Sequence, residues 1–266
     1  MRFKIDHDYH IHSKLSSCSR DPEQSVERIL QYAKDNGLER ICITDHFWDS
    51  AVAGASEWYA PQNLEHIKQS KPLPQAEGVE FLFGCETEMN KNMTVAVASE
   101  HFDEFSFIIV PTTHMHMSFV LSQEDAASEK RRAELWVERL DRLFEKELPF
   151  KKIGIAHLAC SLINNTYKGG QRAVLDMIPD GEMERVFSRA AELGCGIELN
   201  QDDMSFEDAH ADTILRPFRI AKSCGCRFYL GSDAHHPSAF ARTKEIFERA
   251  VTMLDLKESD KFHIGL

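Results

Sequence analysis

The feature that most constrains this chain is a series of short runs that are apolar at consecutive positions and separated by amphipathic segments. Arg40-Ile41-Cys42-Ile43-Thr44, Val79–Cys85, Phe107–Pro111, Ile153–Ala156, Gly196–Leu199 and Phe228–Leu230 are such runs, after a first one from Phe3 to His12. A strand with one wet face alternates apolar and polar residues. One that is apolar throughout is buried on both faces, as parallel strands covered by helices are. The segments between carry helical spacing. Asp21-Pro22-Glu23 opens a helix with Val26, Ile29, Leu30 and Ala33 on one face, ending before Gly37. Further helices are expected over Glu124–Glu147, Met183–Leu193, Thr213–Ser223 and Ser238–Leu254. Residues 49–77, with Trp58, Tyr59 and three prolines, read as an irregular insertion with one short helix, placed to act as a lid. About seven β/α units in 266 residues predict a single closed or nearly closed β/α barrel in one domain.

The runs share a kind of ending. The first stops at His10-Ile11-His12, the second at Asp45-His46, the third at Glu86 and the fourth near His114 and His116. The fifth stops at His157, and the last at Asp233-Ala234-His235. In a strand, residues i and i+2 point the same way, so His10 and His12 converge. Imidazoles and carboxylates together suit zinc, iron or manganese, and the C-terminal rim of a β/α barrel is where active sites are built. Each residue alone has an ordinary explanation: Asp45 and Asp233 as helix caps, His157 as a satisfied core group. Eight or nine ligand-type residues at one rim are not explained that way. His7, His66, His101, His210 and His263 fall outside the pattern and are read as ordinary.

Composition narrows the partners. A net charge of -12 repels phosphate backbones and argues against extended nucleic acid, while clustered divalent ions would still make one cleft positive for a small anionic substrate. Seven scattered cysteines are no disulfide framework, and Cys42, Cys85 and Cys195 sit in apolar runs as core residues. No run approaches the ~20 apolar residues of a membrane span, and no apolar signal segment opens the chain, so no membrane partner and a cytoplasmic location are expected.

His10-Ile11-His12, Thr44-Asp45-His46, Gly84-Cys85-Glu86, the run to His114, His157 and Ser232-Asp233-Ala234-His235 resemble the motifs of the PHP (polymerase and histidinol phosphatase) family, in family order over residues 8–236. The resemblance is greatest to stand-alone histidinol-phosphatase-like phosphoesterases. It implies a distorted (β/α)7 TIM-like barrel, with its metal site at the C-terminal rim of the strands, holding two or three divalent ions (Zn, Mn or Fe). His10, His12, Glu86 and Asp233 would hold the first ion. Glu86 would bridge to a second held by His114 and His157, and His46 and His235 would hold a third. Cys18 stands where family members often carry a histidine, so its thiolate is the expected third ligand there, with Asp21 as the stand-in. His114 is preferred to His116 as ligand because it follows Thr112-Thr113 directly; His116 then contacts substrate. Asp45 is expected to orient His46.

The implied activity is metal-dependent hydrolysis of a small phosphomonoester such as histidinol phosphate, with Glu86 and Asp233 central and His235 or Asp45 protonating the leaving alkoxide. Arg20 and Arg242, beyond the first and last motifs, are the expected phosphate contacts, ahead of Lys14, Lys168 and Arg172. Gly169-Gly170 would let a loop close over phosphate. Three other readings compete: a phosphodiesterase or exonuclease on short nucleotides, an amidohydrolase, and a non-catalytic metal-binding module. Against the amidohydrolase stands Asn200, where that group has a histidine.

Overall fold

The computed structural model describes residues 1–266. The apolar runs form seven strands: β1 (His7–Ile11), β2 (Arg40–Ile43), β3 (Glu80–Glu86), β4 (Phe107–Pro111), β5 (Ile153–Ala156), β6 (Gly196–Asn200) and β7 (Arg227–Gly231). They pair in parallel and in chain order. Every residue of β1, β4, β5 and β6 is buried, as strands covered on both faces require. Tyr9, Cys42, Phe107, Ile109, Ala156, Tyr229 and Phe262 fill the inside of the sheet. A larger apolar cluster packs the outer face against the helices. The result is a nearly closed (β/α)7 TIM-like barrel.

The helices are α1 (Val26–Asn36), α2 (Leu64–Ile67), α3 (Glu129–Phe144), α4 (Gly170–Met177), α5 (Asp180–Leu193), α6 (Ala211–Ser223) and α7 (Thr243–Met253). Several starts differ from the sequence expectation, each for a capping reason. α1 begins after Ser25, whose hydroxyl accepts from Arg28 N, and not at Asp21-Pro22; Gly37, at φ 67°, ends it as expected. α3 begins after Ser128, which accepts from Arg131 N, while Asp125–Ala127 form a separate 3-10 turn. The expected Ser238–Leu254 helix divides into a 3-10 turn at Pro237–Ala241, capped by His236, and α7. α4 was not expected, because it starts within the two glycines read as a phosphate loop. Gly170 instead opens α4, and its carbonyl accepts from Asn164 Nδ2 at 2.9 Å.

Residues 49–77 hold α2 and a 3-10 turn at Lys68–Ser70, and the segment is fastened down. Gln62 accepts from Trp48 N and Ser17 N, each at 2.9 Å. His66 Nε2 reaches Leu15 O at 2.7 Å, and the Tyr59 hydroxyl donates to Glu88 at 3.3 Å.

The ring closes at a seam between β1 and β7, and it closes at the C-terminal rim. Asp233 N donates to His10 O at 2.7 Å and His12 N to Ala234 O at 3.2 Å. Below these, side chains replace the ladder. Asp8 accepts from Ser232 N at 3.0 Å, and His7 Nε2 accepts from Leu230 N at 3.1 Å. Gln24 Nε2 donates to both His12 O and Ala234 O across the seam.

Inside the barrel, a Cβ added at Gly154 would run into the rings of Phe107 and Tyr229. Gly154→Ala should therefore destabilise the fold by about 1–3 kcal/mol, read as a lowered denaturant midpoint at unchanged slope. An unshifted midpoint would mean the interior packs more loosely than described.

Candidate metal centre

The strand ends deliver their ligand-type side chains to one buried cluster. His10 lies in β1 and His12 just beyond it, with their Nε2 atoms 3.1 Å apart. Glu86 ends β3, His114 follows β4, His157 follows β5, and Asp233 and His235 follow β7. His157 and Asp233 hold the left-handed backbone region at φ 55° and 53°. Non-glycine residues occupy that region only where the surroundings compel it, often at functional sites.

Both carboxylates divide their oxygens between two groups of imidazoles. Glu86 Oε2 lies 3.6 Å from His10 Nε2 and 3.4 Å from His12 Nε2, while Oε1 lies 3.5 Å from His157 and 3.9 Å from His114. Asp233 Oδ1 lies 3.3 and 3.1 Å from His10 and His12, and its Oδ2 is 3.1 Å from His157. Two ligand sets result, His10–His12–Glu86–Asp233 and Glu86–His114–His157, each with its donor atoms within 4.8 Å of one another. Both oxygens of Glu86, Oδ1 of Asp233 and both ring nitrogens of His157 are buried and hydrogen-bond to nothing. Donors about 2.1 Å from a shared ion stand about 3.0–3.4 Å apart, close to the separations here. Unsatisfied, buried, mixed nitrogen and oxygen donors at that spacing fit divalent ions.

A second layer sets which nitrogen each imidazole presents. His10 Nδ1 donates to Glu198 Oε1 at 2.6 Å and His114 Nδ1 to Glu88 Oε2 at 2.8 Å. His12 Nδ1 donates to Ser16 Oγ at 2.9 Å, and Ser16 donates on to Asp45 at 2.7 Å. His235 Nδ1 donates to Asp233 O at 2.8 Å. With Nδ1 protonated, each of the four offers the Nε2 lone pair, the arrangement metal-binding histidines use. Glu88 is itself near the fully buried Arg139 of α3, which donates to Thr112 O at 2.7 Å.

Charge follows the same geometry. Burial pushes the Glu86 and Asp233 carboxyls up, but the imidazoles outweigh it (His46 and His10 for Glu86, His10 and His157 for Asp233) and hold both well below the usual carboxylate range. Burial opposes protonation of His157 too, yet Asp233 raises it to about 9. Protons thus occupy positions that ions would take.

The third set is less complete. His12, His46 and His235 converge, with His46 and His235 Nε2 3.4 Å apart. His12 Nε2 already faces the first set, which leaves two imidazoles for a third ion. Cys18 is not within the cluster; it is an exposed residue on the cavity wall, where partial loss of water around the thiol, and then the charges of Glu86 and Asp233, push it up to about 12. Asp21 instead pairs with His236 at 2.6 Å.

A cavity of about 380 Å³ opens over the cluster, lined by Cys18, His46, Trp58, Tyr59, Glu86, His114, His116, Met117, Leu162, Asp233 and His235. His116 is therefore placed to meet a ligand. Asp45 is not on the wall: its oxygens accept from Ser13 N, Ser13 Oγ and Ser16 Oγ, so it orients the His12 loop and is not positioned to protonate a leaving group. Arg20 and Arg242 are exposed and off the wall, Arg242 facing Glu245 at 3.8 Å. Lys14, Lys168 and Arg172 are exposed as well, and Gly169-Gly170 are not on the wall. A larger groove of about 970 Å³ between α3 and α5 contains none of the ligand residues.

Glu198 and Glu88 escaped the sequence reading. Glu198 is a lone acid in the apolar β6, and Glu88 lies two residues past Glu86; a charge inside a doubly covered strand is itself a signal.

The family model of the PHP domain matches residues 8–202. Among solved structures, histidinol phosphate phosphatase from Lactococcus lactis subsp. lactis, complexed with zinc, L-histidinol and phosphate, is 16% identical, with a TM-score of 0.57 over 92% of this chain and 93% of its own. A candidate histidinol phosphatase from Listeria monocytogenes is 14% identical, with a TM-score of 0.63 over 91% and 100%. These likenesses show the shared barrel fold. No curated protein matches the chain in sequence.

Two outcomes are expected. Glu198→Gln removes the charge behind His10 and should weaken metal affinity about 10–100-fold in a chelator competition; unchanged affinity would remove its orienting role. For His157, a folded-state value of about 9 lies above the ordinary ~6.5, so its contribution to metal-free stability is full below about pH 6.5 and lost as pH rises towards 9. Metal loading within that window should release protons, measurable by calorimetry in buffers of different ionisation enthalpy. Loading without proton release would contradict the protonated cluster.

Proposed function

Because this chain belongs to the PHP domain family, we propose that it is a metal-dependent phosphoesterase hydrolysing a small phosphomonoester of the histidinol phosphate kind, with two or three zinc, manganese or iron ions. The observation that carries the reading is the pair of carboxylates, buried Glu86 and partly buried Asp233, each shared between two imidazole groups. Carboxylates shared in this way would hold two ions, which when bound would supply an activated water and charge neutralisation for phosphoryl transfer.

In this reading His10, His12, Glu86 and Asp233 hold one ion, and Glu86, His114 and His157 the other. Glu198, Glu88 and the Ser16–Asp45 relay keep the imidazoles in one tautomer, so no reorganisation accompanies catalysis. His235, on the wall beside His46, either adds to a third site or hydrogen-bonds the departing oxygen. Cys18, on the same wall, is the further ligand proposed for that third ion. The small cavity favours a compact ester over an extended strand. The gathering of every expected imidazole and carboxylate favours an enzyme over a degenerate binding module.

The test is a panel of phosphomonoesters, including histidinol phosphate, and diesters, each assayed with zinc, manganese and iron. Monoester hydrolysis is expected to dominate, and Glu86→Gln to lower it more than about 100-fold with loss of bound metal. Faster diester cleavage would overturn the monoester assignment. Tight metal binding without turnover on any ester would point to the binding module.

A further inference from the structure

Beyond the ligand residues, the wall of the cavity consists of Cys18, Trp58, Tyr59, His116, Met117 and Leu162. It includes no lysine or arginine, in a chain of net charge -12. The part of a substrate outside the phosphoryl group therefore meets mainly aromatic, thioether and aliphatic surface, with the His116 imidazole and the Cys18 thiol as its polar groups and no lysine or arginine.

Trp58 stands out within that wall. Trp48 and Trp136 are fully buried, and their indole N–H groups donate to Val52 O and Leu158 O. Trp58 is 39% exposed at the cavity, 5.0 Å from the His46 ring and inclined to it by 67°. An indole left open to solvent forgoes the burial its area would otherwise gain, which is expected where a ligand completes the contact.

Its position is held from several sides. Tyr59, the next residue, is buried at 90° to the indole and tied through its hydroxyl to Glu88, behind His114. Gln62 Nε2 donates to Trp58 O at 3.1 Å, while Gln62 Oε1 accepts from Ser17 N, beside Cys18. Leu162 reaches the same cavity from the segment after β5, three strands around the barrel from β2, and Met117 from the segment after β4. A flat group entering between them would meet an indole on one side and apolar side chains from across the barrel.

We propose that Trp58 is the leaving-group platform of this site and selects phosphomonoesters whose leaving group carries a flat aromatic or heteroaromatic ring over purely aliphatic or anionic ones. This rests on the phosphomonoesterase reading for the chemistry, but the contact itself is a binding property that can be measured without turnover. Stacking on one aromatic side chain is worth about tenfold in affinity once its buried area is included.

The experiment is calorimetric binding of phenylphosphonate and methylphosphonate, which cannot be hydrolysed, to the metal-loaded protein and to Trp58→Ala and Trp58→Phe. Phenylphosphonate should bind about tenfold more weakly to Trp58→Ala and within about twofold of wild type to Trp58→Phe, with methylphosphonate changed less than about twofold in either. Equal losses for both ligands, or none for phenylphosphonate, would overturn the platform. So would failure of the wild type to bind phenylphosphonate. Thermal midpoints of both variants should match the wild type, because Tyr59 and Gln62 still fasten the segment. If binding depends on Trp58 as expected but no phosphomonoester is turned over, the platform stands and the phosphatase reading falls.

Discussion

Glu86 and Asp233 place negative charge at the centre of a rim where both oxygens of Glu86 and Oδ1 of Asp233 are buried without a hydrogen bond, and Asp233 Oδ2 has a long one from Asn200 Nδ2 at 3.5 Å. Removing a carboxylate from water carries a penalty of several kcal/mol per ion, so a barrel built around two of them needs compensating positive charge close by. The surrounding imidazoles provide it with protons when no ion is present, and divalent ions provide it more fully. Parallel strands suit this task because all their carboxyl ends open on one rim. β1, β3, β4, β5 and β7 can therefore each contribute a ligand without any strand being distorted along its length.

Around that centre the chain spends further acids on orientation. Glu198, Glu88 and Asp45 sit behind His10, His114 and His12, and none of the three lies on the cavity wall. Through Glu88 the arrangement extends outward in two directions, to Tyr59 in the segment after β2 and to Arg139 in α3. Burial lowers the Arg139 guanidinium to about 10, yet three backbone carbonyls past the ends of β3 and β4 accept from it. Helix, insertion and ligand shell are thereby mechanically continuous.

The barrel and the ligand clusters were legible because both are written in local patterns. Doubly buried strands must be apolar throughout, and all of these runs but the sixth, which ends at Asn200, stopped at a side chain of ligand type. What escaped was set by contacts distant in sequence. Glu198 meets His10 across a separation of 188 residues, and nothing near it signals the pairing. The choice of Ser25 over Asp21, and of Ser128 over Glu124, depended on which hydroxyl could reach a free backbone N–H. Arg20 and Arg242 were inferred from nearness to motifs along the chain, but their side chains point to solvent. Cys18 was expected at a third ion from its place in the motif order; its thiol lines the cavity and stands outside the clusters of ligand atoms.

The seam between β1 and β7 gives the ligand geometry one more meaning. Ser232 and Asp8 meet across 224 residues, among the longest loops the chain can close. His10 and His12 lie on one side of that seam and Asp233 on the other, so a single ion held by all three would cross-link the first strand to the last. In chain-entropy terms a cross-link over such a loop is worth about 5 kcal/mol, comparable to a disulfide in a chain whose seven cysteines are all free. The ion would then act as the clasp of the barrel: strands that must find each other last, at the greatest sequence distance, are the ones it holds together.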